Sequence, residues 1–505
     1  MSVPPPHDNN APWRERDLAA IWHPCTQMRD HAGADALPMT PILRGEGAWL
    51  IDANGKRYLD AVSSWWTNIF GHTHPRIAAA VKDQLDRLEH VIFAGFTHEP
   101  AIELAEQLLR IASVSFAPPA WRDSADAASD APPAQRDSAD PASDAPPAQR
   151  GELPEGLRGA RKLTRVFFAD NGSSAVEVAL KMSFHYWRNV GKTGKTRFIA
   201  LTGSYHGETL GALSVTDVPL YRATYAPLLH EPVFVASPDC FERAPGESWR
   251  EHSLRKLGDM RATLERHAHE VCAVIVEPLV QCAGGMRMYD PAYLTGLREL
   301  CDEFGVHLIA DEIAVGFGRT GTLFACEQGR IAPDFLCLSK GLTGGFMPLS
   351  AVLTTASVYA AFWAEYTSGK AFLHSHSYTG NPLACRAALA TLAIFHDEPV
   401  LECNRALAAH MERRLAPLAE HPHVADVRQT GMIAAVELVR DKATRVPFAT
   451  SERRGLRVYR HGLERGVLLR PLGDVVYFMP PYVVAPDEID LMIDVAVEGI
   501  EKAVS

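Results

Sequence analysis

Residues 306–313 read VHLIADEI and residues 334–339 read DFLCLS. Each stretch is a short apolar run, which is typical of a strand that is buried on both faces of a parallel sheet. Residues 291–305, PAYLTGLRELCDEFG, have the spacing of an amphipathic helix that opens with Pro and closes with Gly. Because such helices alternate with apolar strands, the sequence predicts an α/β fold whose mostly parallel sheet is covered on both faces.

The same alternation extends outward along the chain. Short apolar runs at 165–169, 197–201 and 273–279 accompany a segment with helical spacing at 173–189. From about residue 396 onward, helices alternate with short strands such as MIAAVELV and VVYFMPPYVV, which indicates a smaller α/β domain. The predicted division is an N-terminal segment, 1–60, that joins the small domain, a large domain, 61–395, and a C-terminal small domain, 396–505.

The composition is that of an ordinary globular protein. Hydrophobic residues make up 47% of the 505 and charged residues 22%, and the formal net charge of -11 disfavours a nucleic-acid binder. No apolar run approaches the roughly 20 residues that span a bilayer, and the N-terminus lacks the apolar core of a secretory signal. The nine cysteines form no C-x-x-C pair, so they predict neither a zinc site nor a redox motif. We therefore expect a cytoplasmic protein that binds no metal, nucleic acid or membrane.

One segment differs in composition from the rest of the chain. Residues 122–149 contain the unit RDSADAASDAPPAQ and a second copy in which Pro141 stands at the position of Ala127. The surrounding region, about 117–156, is rich in Ala, Pro, Asp and Ser, and it has too few large apolar residues to offset chain entropy by burial. We expect a disordered surface insertion between a helix that ends near Ala112 and a strand that starts near Thr164.

Two charged residues lie at the ends of separate apolar runs. Asp311 directly follows the apolar residues of the first quoted stretch, and Lys340 directly follows the second stretch. Alone, Asp311 is most simply a helix N-cap or part of a structural ion pair, and Lys340 is most simply a plain lysine at a strand end. Together they meet the needs of pyridoxal 5'-phosphate (PLP), which takes one lysine for its aldehyde and one acid to hold its pyridine nitrogen protonated. Because ligands of such sheets bind at the carboxyl ends of the strands, both side chains can reach one site.

Two further segments also follow predicted strands. ADNGSSAVEVALK, 169–181, reads as a strand, a glycine-containing turn and a helix start, whose free N–H groups suit an anion such as phosphate. Capping of the helix by Asn or Ser explains this pattern equally well. In GSYHGET, 203–209, Tyr205 is a candidate to cover one face of the pyridine ring, although a Tyr-His pair by itself is usually a turn feature.

Together these motifs resemble the class III aminotransferases of PLP fold type I, over almost the whole chain except the insertion. The resemblance rests on NGSSAVEVALKM, GSYHGET, IVEPLVQ, LIADEIAVGFGRTG, the Lys340 motif and YTGNPLAC. It implies PLP as the cofactor, with Lys340 as its covalent anchor, Asp311 as the partner of the pyridine nitrogen and Tyr205 stacked on the ring. These three residues are the implied catalytic set.

The resemblance also assigns the cofactor phosphate. Gly172 and Ser173 match the phosphate-binding turn of the family. Ser377, in HSHSYTGNPL, matches a position whose hydroxyl reaches the phosphate held by the other subunit. A homodimer with shared active sites is therefore implied.

Within this family the chain resembles the members that aminate 8-amino-7-oxononanoate in biotin biosynthesis. The stretches IWHPCTQM, AVSSWWTNIFGH, GGMRMY, FGRTGTLFACE and VVYFMPPY carry this closer resemblance. It implies 8-amino-7-oxononanoate as the amino acceptor and S-adenosylmethionine as the amino donor, with Arg470 binding the substrate carboxylate. The implied substrate-binding residues are Cys25, Trp65, Trp66, Tyr205, Arg319, Lys340, Arg470 and Tyr477.

Two positions depart from the family pattern. Glu208 makes the motif HGET where HGDT is usual, a change that keeps the charge. Cys25 stands where the W-H-P-Y-T motif has Tyr. Because a thiol is smaller than a phenol and a poorer hydrogen-bond donor, this change puts any tyrosine-dependent substrate contact in doubt.

Three other functions stay open at this point. The first is another class III aminotransferase, or the same reaction with lysine as donor; the Trp65-Trp66 and MPPY stretches argue against a different acceptor. The second is a PLP-dependent lyase, decarboxylase or aminomutase on the same fold. The third is a non-catalytic interaction protein, which the presence of both Lys340 and Asp311 disfavours.

Deletion of residues 122–149 is expected to leave activity and melting temperature nearly unchanged, because the entropic cost of a loop grows only slowly with its length. Thermal melting and steady-state assays of the deletion variant and the full chain test this. A melting temperature lower by several degrees, or loss of a dimer, would show that the segment packs against the rest of the protein.

Overall fold

The computed structural model describes residues 8–32, 37, 39–116 and 162–505. The repeat at 122–149 and the insertion predicted around it lie outside these residues. The chain divides into two compact units: a terminal unit, residues 1–78 with 402–505, and a central unit, residues 79–401. The first division therefore falls after residue 78, whereas the sequence placed it after residue 60. The helices Pro75–Leu85 and Val400–Leu415 run through the two points of division.

A seven-stranded sheet forms the middle of the central unit. Its strands lie in the order Leu163–Ala169, Ser350–Thr355, Phe335–Leu338, His307–Asp311, Val271–Val276, Arg197–Leu201 and Val233–Val235. Only Ser350–Thr355 runs antiparallel to its neighbours in this sheet, so the predicted mostly parallel arrangement is confirmed. A two-stranded hairpin, Val280–Gln281 with Arg287–Met288, follows the fifth strand of that order.

Apolar burial on both faces explains why these strands contain so few polar residues. Every residue of Val271–Val276 and of His307–Asp311 is buried. Gly172–Asn189 packs on the sheet through Val176, Val178 and Ala179, all of them inaccessible to solvent. The other helices of this unit are Glu99–Ser115, Leu210–Ser214, Pro219–Arg222, Trp249–His267, Ala292–Glu303, Ala356–Ala360 and Pro382–Asp397.

The terminal unit contains two smaller sheets. Ile42–Glu46, Trp49–Asp52 and Arg57–Asp60 form an antiparallel set, and Val467–Leu468 pairs in parallel with its last strand. Strand pairing thus joins the N-terminal and C-terminal parts of the chain. The second sheet is antiparallel, in the order Val424–Thr430, Ile433–Leu438 and Val475–Phe478. The helices of this unit are Ala11–Ala20, Arg454–Arg465 and Pro486–Val504, and Ser63–Trp66 is a short turn with positive φ values.

Within the described part of the chain, each helix is too short or too polar to cross a bilayer.

A buried ion pair fastens a helix to the central sheet. Arg298 donates from Nη1 to Oδ2 of Asp334 over 2.9 Å, and the same oxygen accepts the backbone N–H of Leu308 at 2.8 Å. Arg298 is 8% exposed and Asp334 is 5% exposed, so water cannot replace either partner. The carboxylate therefore links Ala292–Glu303 to the start of His307–Asp311.

Replacement of Asp334 by Ala is expected to destabilise the central unit by about 3 kcal/mol, because the buried Arg298 guanidinium keeps only the half-exposed Asp302 as a partner and the N–H of Leu308 loses its acceptor. Urea unfolding of the variant measures the loss. Glu303→Ala is the control, because Glu303 pairs with Arg261 on the surface, where solvent screens the pair. Equal losses in the two variants would contradict the special cost of the buried pair.

Candidate active site

Asp311 and Lys340 lie at the same edge of the central sheet. Asp311 ends its strand opposite Cys337 of the neighbouring parallel strand, and Lys340 follows that neighbour. Lys340 has φ +45° and begins the short 3-10 helix Lys340–Thr343. Because the chain turns at this residue, the lysine leaves the strand at the carboxyl edge, where ligands of such sheets bind.

His206 holds the buried carboxylate of Asp311. Nδ1 of His206 lies 2.8 Å from Oδ2 of Asp311, and the other carboxylate oxygen accepts the backbone N–H of Ile313 at 3.1 Å. The backbone N–H of His206 donates to Oγ1 of Thr216 over 2.9 Å. Nε2 of the imidazole is buried and has no hydrogen-bond partner among the residues that the structure describes. The sequence shows His206 only as the neighbour of Tyr205. Its contact with Asp311 could not be predicted, because the two residues are 105 positions apart in the chain.

Opposing charges surround the amine of Lys340. Desolvation lowers the pKa of Lys340, and the positive charge of Arg319 acts in the same direction. The negative charges of Asp311 and Glu277 act against this shift. The lowered pKa increases the fraction of neutral amine, which is the nucleophilic and basic form.

Glu277 connects the loop of Tyr205 to the hairpin. Its Oε2 accepts the backbone N–H of Tyr205 at 2.9 Å, and its Oε1 accepts that of Cys282 at 3.0 Å. Burial raises the pKa of Glu277 to about 7, and the negative charge of Asp311 contributes to the increase. Glu277 thus holds two backbone segments together, and its charge also acts on the amine of Lys340.

Close approach makes glycine necessary at two positions of the site. A Cβ on Gly172 would lie 2.9 Å from Cγ2 of Ile313. Gly207 has φ +127°, and a Cβ there would lie 2.2 Å from Oγ of Ser173. That hydroxyl accepts the backbone N–H of Glu208 at 3.1 Å. The start of Gly172–Asn189 is therefore held against both the strand-end loop and the loop after Tyr205.

Asn171 caps this helix, which is one of the two interpretations that the sequence left open. Its side chain accepts the backbone N–H of Ser174 at 3.0 Å. Capping and anion binding are compatible, because a helix start has four N–H groups without intrahelical partners and the cap uses one of them.

Glu208, one of the two departures from the family pattern, orients the phenol of Tyr205. Its hydroxyl donates to Oε1 of Glu208 over 2.8 Å, and its ring lies edge-on to Tyr221 with the centroids 5.3 Å apart. Glu208, whose side chain is one carbon longer than that of the usual Asp, thus reaches the phenol.

Two buried residues extend the central part of the site. Arg319 is 1% exposed and is near enough to act on the charge of Lys340. Cys282 is fully buried, and burial raises the pKa of its thiol, so it stays protonated. Sequence reasoning missed Cys282, because a single cysteine in an apolar segment has no distinguishing signal.

Ser377 and Cys25 are both exposed. Ser377 lies in the turn before Pro382–Asp397, in the central unit. Cys25 lies in the terminal unit and has φ +48°.

The other predicted substrate-binding residues form one group in the terminal unit. The guanidinium of Arg470 lies over the ring of Trp65, 4.5 Å from its centroid. Nε1 of Trp66 donates to the hydroxyl of Tyr477 over 3.1 Å, and the two rings meet edge-to-face. Trp66 and Tyr477 are buried, whereas Trp65 is 37% exposed. The structure thus brings the adjacent Trp65 and Trp66 together with Arg470 and Tyr477, which lie about 400 residues later, and leaves one indole accessible to solvent beside a cation.

The geometry of the central unit fits a phosphorylated aldehyde with a ring nitrogen. It combines a helix start held close to other backbone segments, a buried carboxylate fixed by a histidine, and a lysine with a lowered pKa. These groups match the three binding needs of PLP, namely an anion site, an acid and an amine.

Comparison with known proteins places the chain among enzymes of this kind. The family described as "Aminotransferase class-III" matches residues 31–118 and 148–503, which leaves out most of the repeat. The chain is 42% identical, over 97% of its length and 97% of the relative, to the adenosylmethionine-8-amino-7-oxononanoate aminotransferase of Geobacter sulfurreducens. It is 40% identical to the protein of the same name from Helicobacter pylori, over 96% of this chain and 97% of the relative.

Two solved structures are similar over almost their whole length. The adenosylmethionine-8-amino-7-oxononanoate aminotransferase of Methanocaldococcus jannaschii has a TM-score of 0.83 and 36% identity, and the alignment covers 98% of this chain and 99% of that one. An omega transaminase of Pseudomonas jessenii, in complex with PMP, has a TM-score of 0.83 and 27% identity, with 97% and 98% covered. With the family matched over most of its residues, the chain belongs to the class III aminotransferases.

Proposed function

We propose that this chain is a PLP-dependent aminotransferase that transfers an amino group from S-adenosylmethionine to 8-amino-7-oxononanoate, giving 7,8-diaminononanoate for biotin biosynthesis. The observation that carries the chemistry is the Asp311–His206 pair beside the amine of Lys340. The names of relatives that are 40% and 42% identical over nearly the whole chain support the choice of substrates.

Bound PLP supplies an aldehyde that bonds to amines and a ring that takes up the electrons released when a Cα–H bond breaks. Asp311 would hold the proton of the ring nitrogen, and His206 would keep that carboxylate in place. Gly172 and Ser173, at the helix start, would bind the phosphate. Tyr205 would cover one ring face, with its phenol fixed by Glu208.

Lys340 has two roles in this proposal. Its amine would hold the cofactor through the aldehyde carbon when no substrate is present. With substrate bound, the neutral amine would act as the base that accepts the proton from the substrate Cα and as the acid that gives it back. A lowered pKa favours both roles, because only the unprotonated amine can bond to a carbonyl carbon or take up a proton.

The group around Arg470 accounts for an acceptor with a long apolar chain and a terminal carboxylate. A guanidinium can bind a carboxylate through two parallel hydrogen bonds. Trp65 and Trp66 supply apolar and aromatic surface beside it, and Tyr477 fixes the second indole. Arg319 is a second cation, in the central unit, for a donor carboxylate. Cys25 would leave more room than the usual tyrosine.

The proposal includes a cytoplasmic homodimer with shared active sites. In it, the exposed hydroxyl of Ser377 reaches the cofactor phosphate of the other subunit.

A half-reaction assay tests the proposed function. The purified holoenzyme is mixed with S-adenosylmethionine, lysine or alanine in turn, and the visible absorbance of the cofactor is followed. We expect S-adenosylmethionine to convert the cofactor to a stable pyridoxamine form, and 8-amino-7-oxononanoate to reverse the change. Lys340→Ala is the control, which should lack any cofactor that borohydride links to the protein.

Other outcomes of this assay would contradict the proposal. A response to lysine alone would identify lysine as the donor. Reversal by pyruvate but not by 8-amino-7-oxononanoate would indicate a general ω-amino acid aminotransferase. Absence of a pyridoxamine form would indicate a decarboxylase or another PLP enzyme.

Arg470→Ala is expected to raise the KM for 8-amino-7-oxononanoate about tenfold to a hundredfold, because it removes a charge-assisted hydrogen bond worth roughly 1.5–3 kcal/mol. The rate of the half-reaction with the amino donor should fall less than that of the half-reaction with the acceptor. Single-turnover kinetics of each half separates the two effects. Arg57→Ala is the control, because its guanidinium also lies over a tryptophan, Trp49, but neither residue belongs to the proposed acceptor site. Equal losses in both halves would mean that Arg470 does not select the acceptor.

A further inference from the structure

The two tryptophans lie in a turn with an unusual backbone. Ser63, Ser64, Trp65 and Trp66 have φ values of +48°, +45°, +72° and +74°. Residues with side chains rarely adopt this left-handed region, and four in succession form a short left-handed turn. Such a conformation persists only where surrounding contacts determine it, and it is common at binding sites.

A buried carboxylate supplies those contacts on one side of the turn. Asp60 is fully buried at the end of Arg57–Asp60. Its Oδ2 accepts the hydroxyl of Ser64 at 2.7 Å and lies 3.0 Å from Nε2 of His72. Its Oδ1 accepts the backbone N–H of Val62 at 3.3 Å. Asp60 therefore contacts the chain before, within and after the turn.

His72 is itself held in place. Its backbone N–H donates to the carbonyl of Gly47 over 2.7 Å. A Cβ on Gly45 would lie 2.5 Å from Cβ of His72, so the glycine is needed for this close packing. The imidazole thus approaches Asp60 from a fixed position rather than from a mobile surface loop.

The other side of the turn is fastened to the chain that follows Tyr477. The hydroxyl of Ser63 donates to the carbonyl of Met479 over 2.8 Å, and the N–H of Met479 donates to the carbonyl of Ala61, also over 2.8 Å. Trp66 reaches Tyr477 on the adjoining strand. With both sides fixed, the turn directs Trp66 into the core and leaves Trp65 accessible beneath Arg470.

We propose that Asp60, supported by His72, is a positioning residue for the amino acceptor. It fixes the left-handed turn through Ser64 and so sets the place of the Trp65 ring against the Arg470 guanidinium. The affinity for a long apolar acceptor that ends in a carboxylate then depends on Asp60, although Asp60 is fully buried. This inference rests on the proposed function, because that function assigns the acceptor to these two side chains.

Variants of Ser64 test the link without removing a buried charge. Ser64→Gly tolerates φ +45° but cannot donate to Asp60, so it separates the hydroxyl contact from backbone strain. We expect it to fold and to raise the KM for 8-amino-7-oxononanoate about tenfold, the size of one hydrogen bond to a charged group. The kcat should change much less. Ser64→Asn, which tolerates the same φ and carries a donor, should restore part of the affinity.

Asp60→Asn is the second variant, and melting temperatures are measured for all of them. Its amide can still accept from Ser64 but has no charge to pair with His72, so its KM should also rise while kcat is largely kept. Thr444→Ala is the matched control, because it removes a hydroxyl contact with Asp441 of 2.6 Å on an exposed turn of the same unit. Its KM should equal that of the unmodified chain.

The outcomes distinguish this inference from the proposed function. If the unmodified chain aminates 8-amino-7-oxononanoate but Ser64→Gly and Asp60→Asn keep its KM, the positioning role is wrong. A loss of melting temperature with unchanged KM would show a purely structural role, and would also overturn it. If the unmodified chain prefers another long-chain keto acid, the proposed function fails, and the same KM ratios measured with that acid decide the positioning role.

Discussion

The burial of the Asp311 carboxylate is the constraint on which the central site depends. A carboxylate placed among apolar strands is costly unless other groups partner it. Here the partners are the imidazole of His206, 2.8 Å away, and the backbone N–H of Ile313. Satisfying this one charge therefore fixes the loop after Arg197–Leu201 and the loop after His307–Asp311 at the same strand edge.

Burial and nearby charges also control the protonation state of the Lys340 amine. Desolvation and Arg319 favour the neutral amine, whereas the acidic groups of Asp311 and Glu277 favour the ammonium. Glu277 is itself affected by burial, which raises its pKa to about 7, and its two backbone hydrogen bonds oppose that shift. A reactive lysine needs such a balance, because it must be neutral to react and yet stay near the acid that serves the cofactor.

The terminal unit follows a different principle, in which backbone strain is offset by hydrogen bonds. The turn Ser63–Trp66 has four residues in the left-handed region. Asp60 holds it through Ser64, and Met479 holds it through Ser63. The result is one buried indole and one accessible indole beneath a guanidinium. A right-handed helix would have unstrained φ values at these four residues and would not need these stabilising contacts.

Sequence alone determined the α/β class, the mostly parallel sheet and the placement of Asp311 and Lys340 at strand ends, because apolar periodicity reports burial along the local chain. Family motifs pointed to the cofactor and to the residues around it. The antiparallel strand Ser350–Thr355 and the division after residue 78 required the structure, since pairing partners are distant in sequence. The partnership of His206 with Asp311 and the left-handed turn held by Asp60 were also decided only by the tertiary structure. Both depend on buried groups from separate segments, whose need for partners is satisfied only when the chain has folded.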